Sequence, residues 1–138
     1  MKIVDLTQKK EIAASAVVAK NFFQRLRGLI GSPPLQKGEA LWIPRCQGIH
    51  MWGMGYPIDA VFLDPEKTVI RLVPGVPVNS FGPVVWAAES VLELPAGAIK
   101  KTGIKIGDRL GFFERDVSFD YPAIASGNSF TSPARRGK

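Results

Sequence analysis

Glycine and proline interrupt this sequence so often that few long regular segments can form. The 138 residues include 14 Gly and 11 Pro, and the apolar runs between them are short. Glycine weakens the interior of helices and strands, and proline cannot donate a backbone hydrogen bond, so both residue types mark turns. The pattern therefore predicts many short strands joined by turns, with little helix.

Eight short runs have the composition of strands: 3–6, 16–19, 40–43, 58–63, 68–73, 84–86, 89–94 and 109–113. Pro65 lies between the fourth and fifth runs, where a type I turn favours it, so 58–73 is expected to form a hairpin. Residues 7–11 are expected to form a polar connection, and residues 79–83 a loop. Pro74, Gly75 and Pro77 are expected to end the fifth strand.

One helix is expected near 21–30. Asn21 is a good N-cap and Gln24 occupies the N3 position of a capping box, while Pro33 and Pro34 forbid continuation. A short helical turn is expected near 95–101. The fold class that follows is mainly β: a compact, β-barrel-like single domain.

The predicted domain covers residues 1–113, and residues 114–138 form a polar C-terminal extension. Ser, Pro, Gly and Asn dominate the extension, so it cannot build a core of its own. It is expected either to be disordered or to pack as an arm. Its Phe and Tyr residues leave open self-association through 114–138.

Composition excludes several classes. No apolar run reaches the roughly 18 residues of a membrane span, and the first residues lack a secretory leader, so a cytoplasmic protein without membrane association is expected. The single cysteine, Cys46, excludes an internal disulfide. With a single histidine, His50, it also excludes a structural zinc site of four Cys or of two Cys and two His.

The chain is basic, with a formal net charge of +6. The surplus is spread along the sequence, and only three pairs of adjacent basic residues occur. Nucleic-acid surfaces usually show a denser basic stripe with interleaved aromatic residues. The charge pattern therefore argues against nucleic acid as the partner and leaves a small molecule or a protein.

The segment 46–59 is the most unusual in the chain. It contains Cys46, His50, two of the three Met and one of the three Trp. A metal site from Cys46, His50 and Met54 is disfavoured, because residues four apart on a strand lie about 13 Å from each other. No metal and no cofactor are therefore expected.

Two uses of this segment remain open. In the first, Trp52, Met54, Tyr56 and Trp86 line an apolar cleft that binds a ligand or partner. In the second, His50 acts as a base, with Cys46 as nucleophile or Asp59 as the orienting acid.

Structural roles compete with both uses. Cys46 and the Met residues also suit a core, and Asp59 also suits a loop cap held by backbone N–H groups. Glu89 and Glu93 share one strand face four residues apart, too far to share a proton, and a solvated face is expected for them.

Four segments together resemble a known family. They are Arg25-Leu26-Arg27-Gly28-Leu29-Ile30, the run from Ile49 to Asp64, Val91-Leu92-Glu93-Leu94-Pro95-Ala96-Gly97, and Gly103-Ile104-Lys105-Ile106-Gly107-Asp108. Their order and spacing resemble the domain of unknown function 192 family, also called uncharacterised protein family 0127. The resemblance implies a compact, β-barrel-like domain with little helix, and it brings no activity. The expected function is therefore a small non-catalytic binding or accessory domain with an apolar cleft near His50–Asp59, with a small hydrolase-like enzyme using His50 and Asp59 as the alternative.

Overall fold

A computed structural model describes residues 1–19, 33–51 and 55–114. The expected helix near 21–30, the side chains of Trp52 and Met54, and the extension from residue 115 lie outside the described residues. For His50 the backbone is described and the side chain is not.

The described residues form ten strands and one short helix. The strands are β1 (Lys2–Asp5), β2 (Lys10–Ala13), β3 (Ser15–Val18), β4 (Glu39–Pro44), β5 (Gly48–His50), β6 (Ile58–Leu63), β7 (Val69–Val76), β8 (Phe81–Val84), β9 (Ser90–Pro95) and β10 (Leu110–Phe113). The helix, α1, is Ala98–Thr102, with Lys100 and Lys101 in its last turn and Gly103 as its left-handed C-cap. The mainly β class and the helical turn are confirmed.

The strands form three sheets, in the orders β10-β1-β2, β3-β4-β9-β6-β7 and β5-β8. The pair of β3 and β4 is parallel, and the other pairs of the five-stranded sheet are antiparallel. The hydrogen-bonded order of these sheets does not close on itself. The architecture is therefore a layered assembly of open sheets, which is more open than the expected barrel-like arrangement.

The five-stranded sheet carries apolar side chains on both faces. All six residues of β6 are buried, and so are the first five residues of β9. A strand that is buried on both faces is mostly apolar in both alternating positions, and Asp59 is the single polar residue of β6. Each face belongs to its own hydrophobic cluster.

The first cluster joins one face to the three-stranded sheet and α1. It consists of Ile3, Ile12, Ala13, Ala16, Ala40, Val61, Leu63, Val69, Leu92, Leu94, Ile99, Ile104 and Leu110. The second cluster joins the other face to β5 and to the residues after β8. It consists of Ala19, Leu41, Ile43, Ile49, Met51, Ile58, Ala60, Phe62, Val76, Ala88 and Val91.

The hairpin of β6 and β7 is confirmed, but the expected end of β7 is wrong. The strand continues through Pro74 and Gly75 to Val76. Proline is tolerated there because β7 is an edge strand. The register shifts between Ile58 and Ala60, so the extra residue of β7 is accommodated as a bulge.

Two other expectations for local structure are also corrected. Strand β8 occupies most of the expected loop 79–83, because Phe81 and Val84 pair with His50 and Gly48 of β5 in a two-stranded sheet. Strand β2 forms within and beyond the expected connection 7–11, as its buried Ile12 and Ala13 belong to the first cluster. In both places tertiary packing overrides weak local propensity.

Among the described residues, no helix has the length and apolar character to cross a membrane.

Candidate functional site

Within the unusual segment 46–59, Ile49 and Met51 belong to the second cluster, so β5 lies over the second face of the five-stranded sheet. This strand pairs with β8, with Gly48 opposite Val84 and His50 opposite Phe81. Backbone hydrogen bonds continue the pairing on both sides: Val85 N–H donates to the Gln47 carbonyl at 2.8 Å and Met51 N–H donates to the Ser80 carbonyl at 2.7 Å. The structure therefore joins this segment to residues 79–86.

Cys46 lies at the edge of this layer. Its thiol donates to the Gly48 carbonyl, with Sγ and oxygen 2.9 Å apart, and its N–H donates to the Glu89 carbonyl at 3.0 Å. The residue is half-buried and packs against the second cluster. A thiol that donates to its own chain in an apolar setting has the features of a structural cysteine.

Asp59 is fully buried and holds three backbone donors. Its Oδ1 accepts Gly75 N–H at 2.8 Å, and its Oδ2 accepts the N–H groups of Gly97 at 3.1 Å and Ile99 at 2.8 Å. The carboxylate thus ties the β7 bulge to the start of α1. Backbone N–H groups are among the partners that the sequence suggests for this residue, and the arrangement favours the structural role.

The five-stranded sheet separates Asp59 from β5. Ile58 and Ala60 belong to the second cluster, so the Asp59 side chain emerges on the opposite face, where it meets α1. Strand β5 packs on the second face through Ile49 and Met51. The backbone of His50 and the carboxylate of Asp59 therefore lie on different sides of the sheet.

Tyr56 and Trp86 have different surroundings. The half-buried Tyr56 packs against the second cluster, and its hydroxyl donates to the Pro33 carbonyl at 3.0 Å. Burial, and then the charge of Glu93, raise the pKa of the Tyr56 hydroxyl. Trp86 is 78% exposed, so it projects from the molecule.

Trp86 belongs to an apolar surface that the sequence analysis did not delimit. Seven large hydrophobic residues are exposed in the described part of the chain, and four of them lie within nine consecutive residues. We call these four residues the β8 surface. They are Val78, Phe81, Val84 and Trp86.

The β8 surface is held on a fixed backbone. Val85 packs against the second cluster, and Ala88 N–H donates to the Val85 carbonyl at 2.9 Å, which closes a turn around Trp86. Gln47 Nε2 donates to the Trp86 carbonyl at 2.7 Å. The exposed indole is therefore carried by a turn that is anchored on both sides.

Glu93 is the principal polar group of the second face. It lies in β9, the middle strand of the sheet, opposite Leu41 of β4 and Ala60 of β6. It is 5% exposed, and burial raises the pKa of its carboxyl to about 7. The expected solvated face is wrong for Glu93 and holds for Glu89, which is exposed and precedes β9.

A sequence signal for the burial of Glu93 does exist. Leu92 and Leu94 flank it and Val91 precedes them, so the run is apolar in both alternating positions except at Glu93. Such a run is typical of a strand that is buried on both faces. Alternation alone predicted an outward face because it ignores where the strand lies in the sheet.

Two further buried acids, Asp5 and Asp108, form a pair beside the three-stranded sheet. Asp5 Oδ1 accepts the N–H groups of Thr7 and Gln8, both at 3.0 Å, and Asp108 Oδ2 accepts from Gln8 Nε2 at 2.6 Å. With both carboxyls ionised, Asp5 Oδ2 is sealed from solvent without a donor. A proton on Asp5 supplies a hydrogen bond to Asp108.

The two acids titrate in opposite directions. Burial and the hydrogen bond to Asp108 raise the pKa of Asp5 to about 6. Burial acts to raise the pKa of Asp108 as well, but hydrogen bonds from Asp5, Gln8 and Lys105 outweigh it and the net shift is downward. The pair joins β1 to the turn before β10 and therefore has an architectural explanation.

No group of three or more His, Cys, Asp or Glu side chains in the described ranges is arranged to hold a metal ion.

Comparison with known proteins identifies relatives of the whole domain. The family model DUF192, described as "Uncharacterized ACR", matches residues 4–112. A "UPF0127 protein" of Thermococcus sibiricus is 29% identical over 128 residues, which cover 90% of this chain and 80% of that protein. Both descriptions carry no activity.

Two crystal structures have a similar fold. A protein of unknown function from Novosphingobium aromaticivorans is 19% identical with a TM-score of 0.67, and the match covers 80% of this chain and 82% of that one. A "putative transcription regulator" from Sinorhizobium meliloti is 21% identical with a TM-score of 0.62, and the match covers 80% of this chain and 89% of that one. At these identities the similarity shows the fold alone.

Proposed function

Because this chain belongs to the DUF192 family, whose description assigns no chemistry, we propose from its own surface that it is a non-catalytic binding domain. The docking site in this proposal is the β8 surface, and the partner is a protein segment that combines apolar with acidic side chains. The observation that carries the proposal is the exposure of Trp86 (78%) and Phe81 (71%) on an anchored turn and strand.

The exposure of these side chains supports binding, because a partner that covers them removes apolar surface from water, and this transfer is favourable. Large apolar side chains left exposed on a small domain often belong to interaction sites, and four of them lie within the nine residues 78–86. Tryptophan is among the residues that contribute most to interfaces, and a backbone that is already ordered loses less entropy when a partner docks. The anchored turn around Trp86 meets both conditions.

The charge of the chain indicates the kind of partner. The formal net charge of +6 attracts an acidic surface and repels a basic one. The diffuse distribution of this charge gives no reason to add nucleic acid as a partner.

Several expectations from the sequence remain part of this proposal. Together with Trp86, the residues Tyr56, Trp52 and Met54 stay proposed contact residues, and the cytoplasm stays the proposed location. The hydrolase alternative needs His50 and Asp59 in one site, and the occupied oxygens of Asp59 give it no support. Self-association through 114–138 stays a separate prediction.

The first test uses an anionic aromatic probe, anilinonaphthalene sulfonate, which combines the two features proposed for the partner. We expect Trp86→Ser to weaken binding of the probe at least tenfold while the free energy of unfolding stays within about 0.5 kcal/mol of the parent, since exposed side chains contribute little to stability. Fluorescence titration and urea denaturation measure the two quantities.

The matched control is Ile106→Ser. Ile106 is 63% exposed and lies in the turn before β10, outside the β8 surface. It should keep probe binding unchanged. Equal weakening in both variants, or unfolding caused by Trp86→Ser, would contradict the proposal.

A second test identifies the partner chemistry. Peptides displayed on phage are selected on the parent protein after removal of those that bind Trp86→Ser. We expect the enriched peptides to place Asp or Glu beside aromatic or aliphatic residues. Enrichment of basic peptides, or no enrichment after this removal, would exclude the proposed partner.

A further inference from the structure

Basic residues that are distant in sequence meet where the chain after β1 contacts the chain before β10. Leu6 N–H donates to the Arg109 carbonyl at 2.8 Å, and Arg109 N–H donates to Thr7 Oγ1 at 2.9 Å. Gln8 Nε2 donates to the Gly103 carbonyl at 2.9 Å. These hydrogen bonds join the two segments into one continuous part of the molecular surface.

The end of α1 lies at the same place. Its last turn carries Lys100 and Lys101, and Gly103 follows as the C-cap. Lys10 Nζ lies 2.8 Å from the position that a Cβ atom on Gly103 would occupy. The basic residues at the start of β2 and at the end of α1 are therefore neighbours, although they are far apart in sequence.

We call the basic residues of these segments the lysine surface. Its members are Lys9, Lys10, Lys100, Lys101, Lys105 and Arg109, all exposed except the half-buried Lys10. They are six of the eleven Lys and Arg residues in the described ranges, the other five being Lys2, Lys37, Arg45, Lys67 and Arg71. Two of the three adjacent basic pairs in the sequence belong to this surface, so the fold concentrates a charge that is spread along the chain.

The acids near the lysine surface do not pair with it. Asp5 and Asp108 are buried and accept backbone N–H groups of the same segments, among them that of Lys105, which donates to Asp108 Oδ2 at 3.0 Å. The exposed Glu11 has its Oε2 atom 3.7 Å from Lys2 Nζ. Within the described ranges, no ion pair joins a member of the lysine surface to an acid. A partner therefore meets a set of cations that is not neutralised from within.

Two aliphatic side chains project among these cations. Leu6 is 45% exposed and Ile106 is 63% exposed. Asp108 N–H donates to the Lys105 carbonyl at 3.0 Å, so Ile106 and Gly107 occupy the tip of a tight turn. The φ angle of Gly107 is 96°, a conformation that favours glycine, and Ile106 supplies the side chain at this tip. A side chain on a closed turn can enter a partner without reordering the backbone.

The composition of the surface distinguishes between two kinds of anionic partner. Nucleic acids are bound through arginine forks and through aromatic rings that stack on bases. Five of the six members are lysines, and the exposed aromatic side chains of the described ranges, Phe81 and Trp86, belong to the β8 surface. Lysines around exposed aliphatic side chains suit an anionic bilayer, where ammonium groups contact headgroups and aliphatic groups enter the acyl boundary.

We propose that the lysine surface, together with Leu6 and Ile106, docks this protein reversibly on a bilayer that contains anionic phospholipids. The expectation of no membrane association came from the lack of a spanning segment, and contact with the surface of a bilayer requires no span. The lysine surface is separate from the β8 surface, and its role does not rest on the protein partner proposed for that surface.

The two contributions to docking respond differently to salt. Each Lys or Arg near an anionic leaflet strengthens binding about fivefold, and this attraction weakens as salt shortens the Debye length. The aliphatic side chains add binding that salt does not screen, because their transfer from water is apolar. Loss of charge and loss of apolar contact can therefore be measured separately.

The experiment sediments the full chain with vesicles of phosphatidylcholine, with and without about 30% phosphatidylserine. We expect binding to the anionic vesicles that weakens about tenfold or more between about 0.1 M and about 0.5 M salt, and no measurable binding to the neutral vesicles. A DNA duplex added at the same phosphate concentration should leave the protein on the anionic vesicles.

A pair of double variants tests the charge. Lys100→Gln with Lys101→Gln should weaken binding to anionic vesicles about tenfold or more. The matched control is Lys37→Gln with Arg45→Gln, which removes the same net charge from exposed positions near the two ends of β4. The control should change binding less than about twofold. All four side chains are exposed, so both double variants should fold, which circular dichroism checks.

Single variants test the apolar contacts. Ile106→Ser and Leu6→Ser should each weaken binding to anionic vesicles about threefold or more, and Trp86→Ser should keep it. The dye titration has the opposite expectation, since Trp86→Ser loses the dye and Ile106→Ser keeps it. Failure of one proposal is therefore distinguishable from failure of the other.

A measurement on the parent protein locates the contact directly. Anionic bicelles with a spin label on the lipid headgroup broaden the NMR signals of the amides that lie closest to them. The amides of residues 6–10 and 100–109 should broaden more than those of residues 78–86.

Five results would overturn the proposal. Four of them are equal binding to neutral and anionic vesicles, equal losses in the two double variants, unchanged binding by both Ile106→Ser and Leu6→Ser, and stronger broadening at residues 78–86. The fifth is displacement of the protein from the vesicles by DNA, which would assign the lysine surface to nucleic acid.

Discussion

At the scale of single residues, Asp59 shows how one buried carboxylate can determine local architecture. Its two oxygens accept the N–H groups of Gly75, Gly97 and Ile99, which come from an edge strand and from the start of a helix. Neither element could satisfy these donors alone, since the bulge removes Gly75 from the ladder and the first N–H groups of a helix have no partner within it. The charge of Asp59 is compensated by backbone dipoles.

We expect Asp59→Asn to destabilise the fold by about 2–4 kcal/mol. An amide keeps one acceptor and turns its NH₂ group towards backbone N–H donors, so at least one donor loses its partner. Urea denaturation followed by circular dichroism measures the change.

Asp64→Asn is the control for this prediction. Asp64 accepts the N–H groups of Glu66 and Thr68 through Oδ1 alone, so an amide oxygen can replace it. Its cost should stay below about 1 kcal/mol. A similar cost for both variants would show that Asp59 does not act as a clamp.

At the scale of elements, the pairing of β5 and β8 connects the unusual segment to the β8 surface. The close approach of the two strands requires a glycine at position 82. A Cβ atom there would lie 2.6 Å from Cγ1 of Ile49, a buried member of the second cluster. The small residue in β8 is therefore a packing requirement of the two-stranded sheet.

Gly82→Ala is expected to destabilise the protein by about 1–3 kcal/mol, because Ile49 has to move within a packed core. It should also weaken probe binding, since it displaces the strand that carries Phe81 and Val84. Gly55→Ala is the control, as a Cβ at this exposed glycine meets nothing within 4 Å. Denaturation midpoints measure the stability of both variants, and fluorescence titration measures their probe binding. Equal stability and equal probe binding of Gly82→Ala and Gly55→Ala would mean that β8 accepts the extra methyl group without cost.

At the scale of the whole molecule, the two buried acids link folding to pH. The pKa of Glu93 is raised to about 7 and that of Asp5 to about 6, both chiefly by burial. In each case the folded protein binds a proton that the unfolded chain has already released. Stability is therefore fully present below the unfolded pKa, near 4, and is lost as the pH rises through the folded value.

The expected result is a free energy of unfolding that falls between pH 5 and pH 8, with a contribution from Glu93 of about 3 kcal/mol. Glu93→Gln should remove most of this slope, because a neutral amide does not titrate. The exposed variant Glu89→Gln should keep it. Denaturation curves at half-unit pH intervals measure the slope, and a parent protein that is equally stable at pH 5 and pH 8 would show that Glu93 is not buried in solution.

The sequence by itself determined the mainly β class, the hairpin of β6 and β7, the helical turn at α1 and the family. These features depend on local chemistry: apolar alternation, a proline in a type I turn, and a glycine that ends a helix. The sequence also indicated the structural role of Asp59. A buried acid in an apolar strand needs backbone or charged partners wherever that strand lies in the fold.

Only the tertiary structure decided the placement of Glu93, the continuation of β7 through Pro74, and the formation of β8. Each depends on a neighbour that is distant in sequence: the strands on both sides of β9, the edge position of β7 with the Asp59 clamp, and the pairing of β8 with β5. Burial and edge position are properties of the assembled sheet. The apolar residues on both sides of Glu93 indicate a buried strand, but only the placement of β9 between β4 and β6 shows that the acid itself is buried.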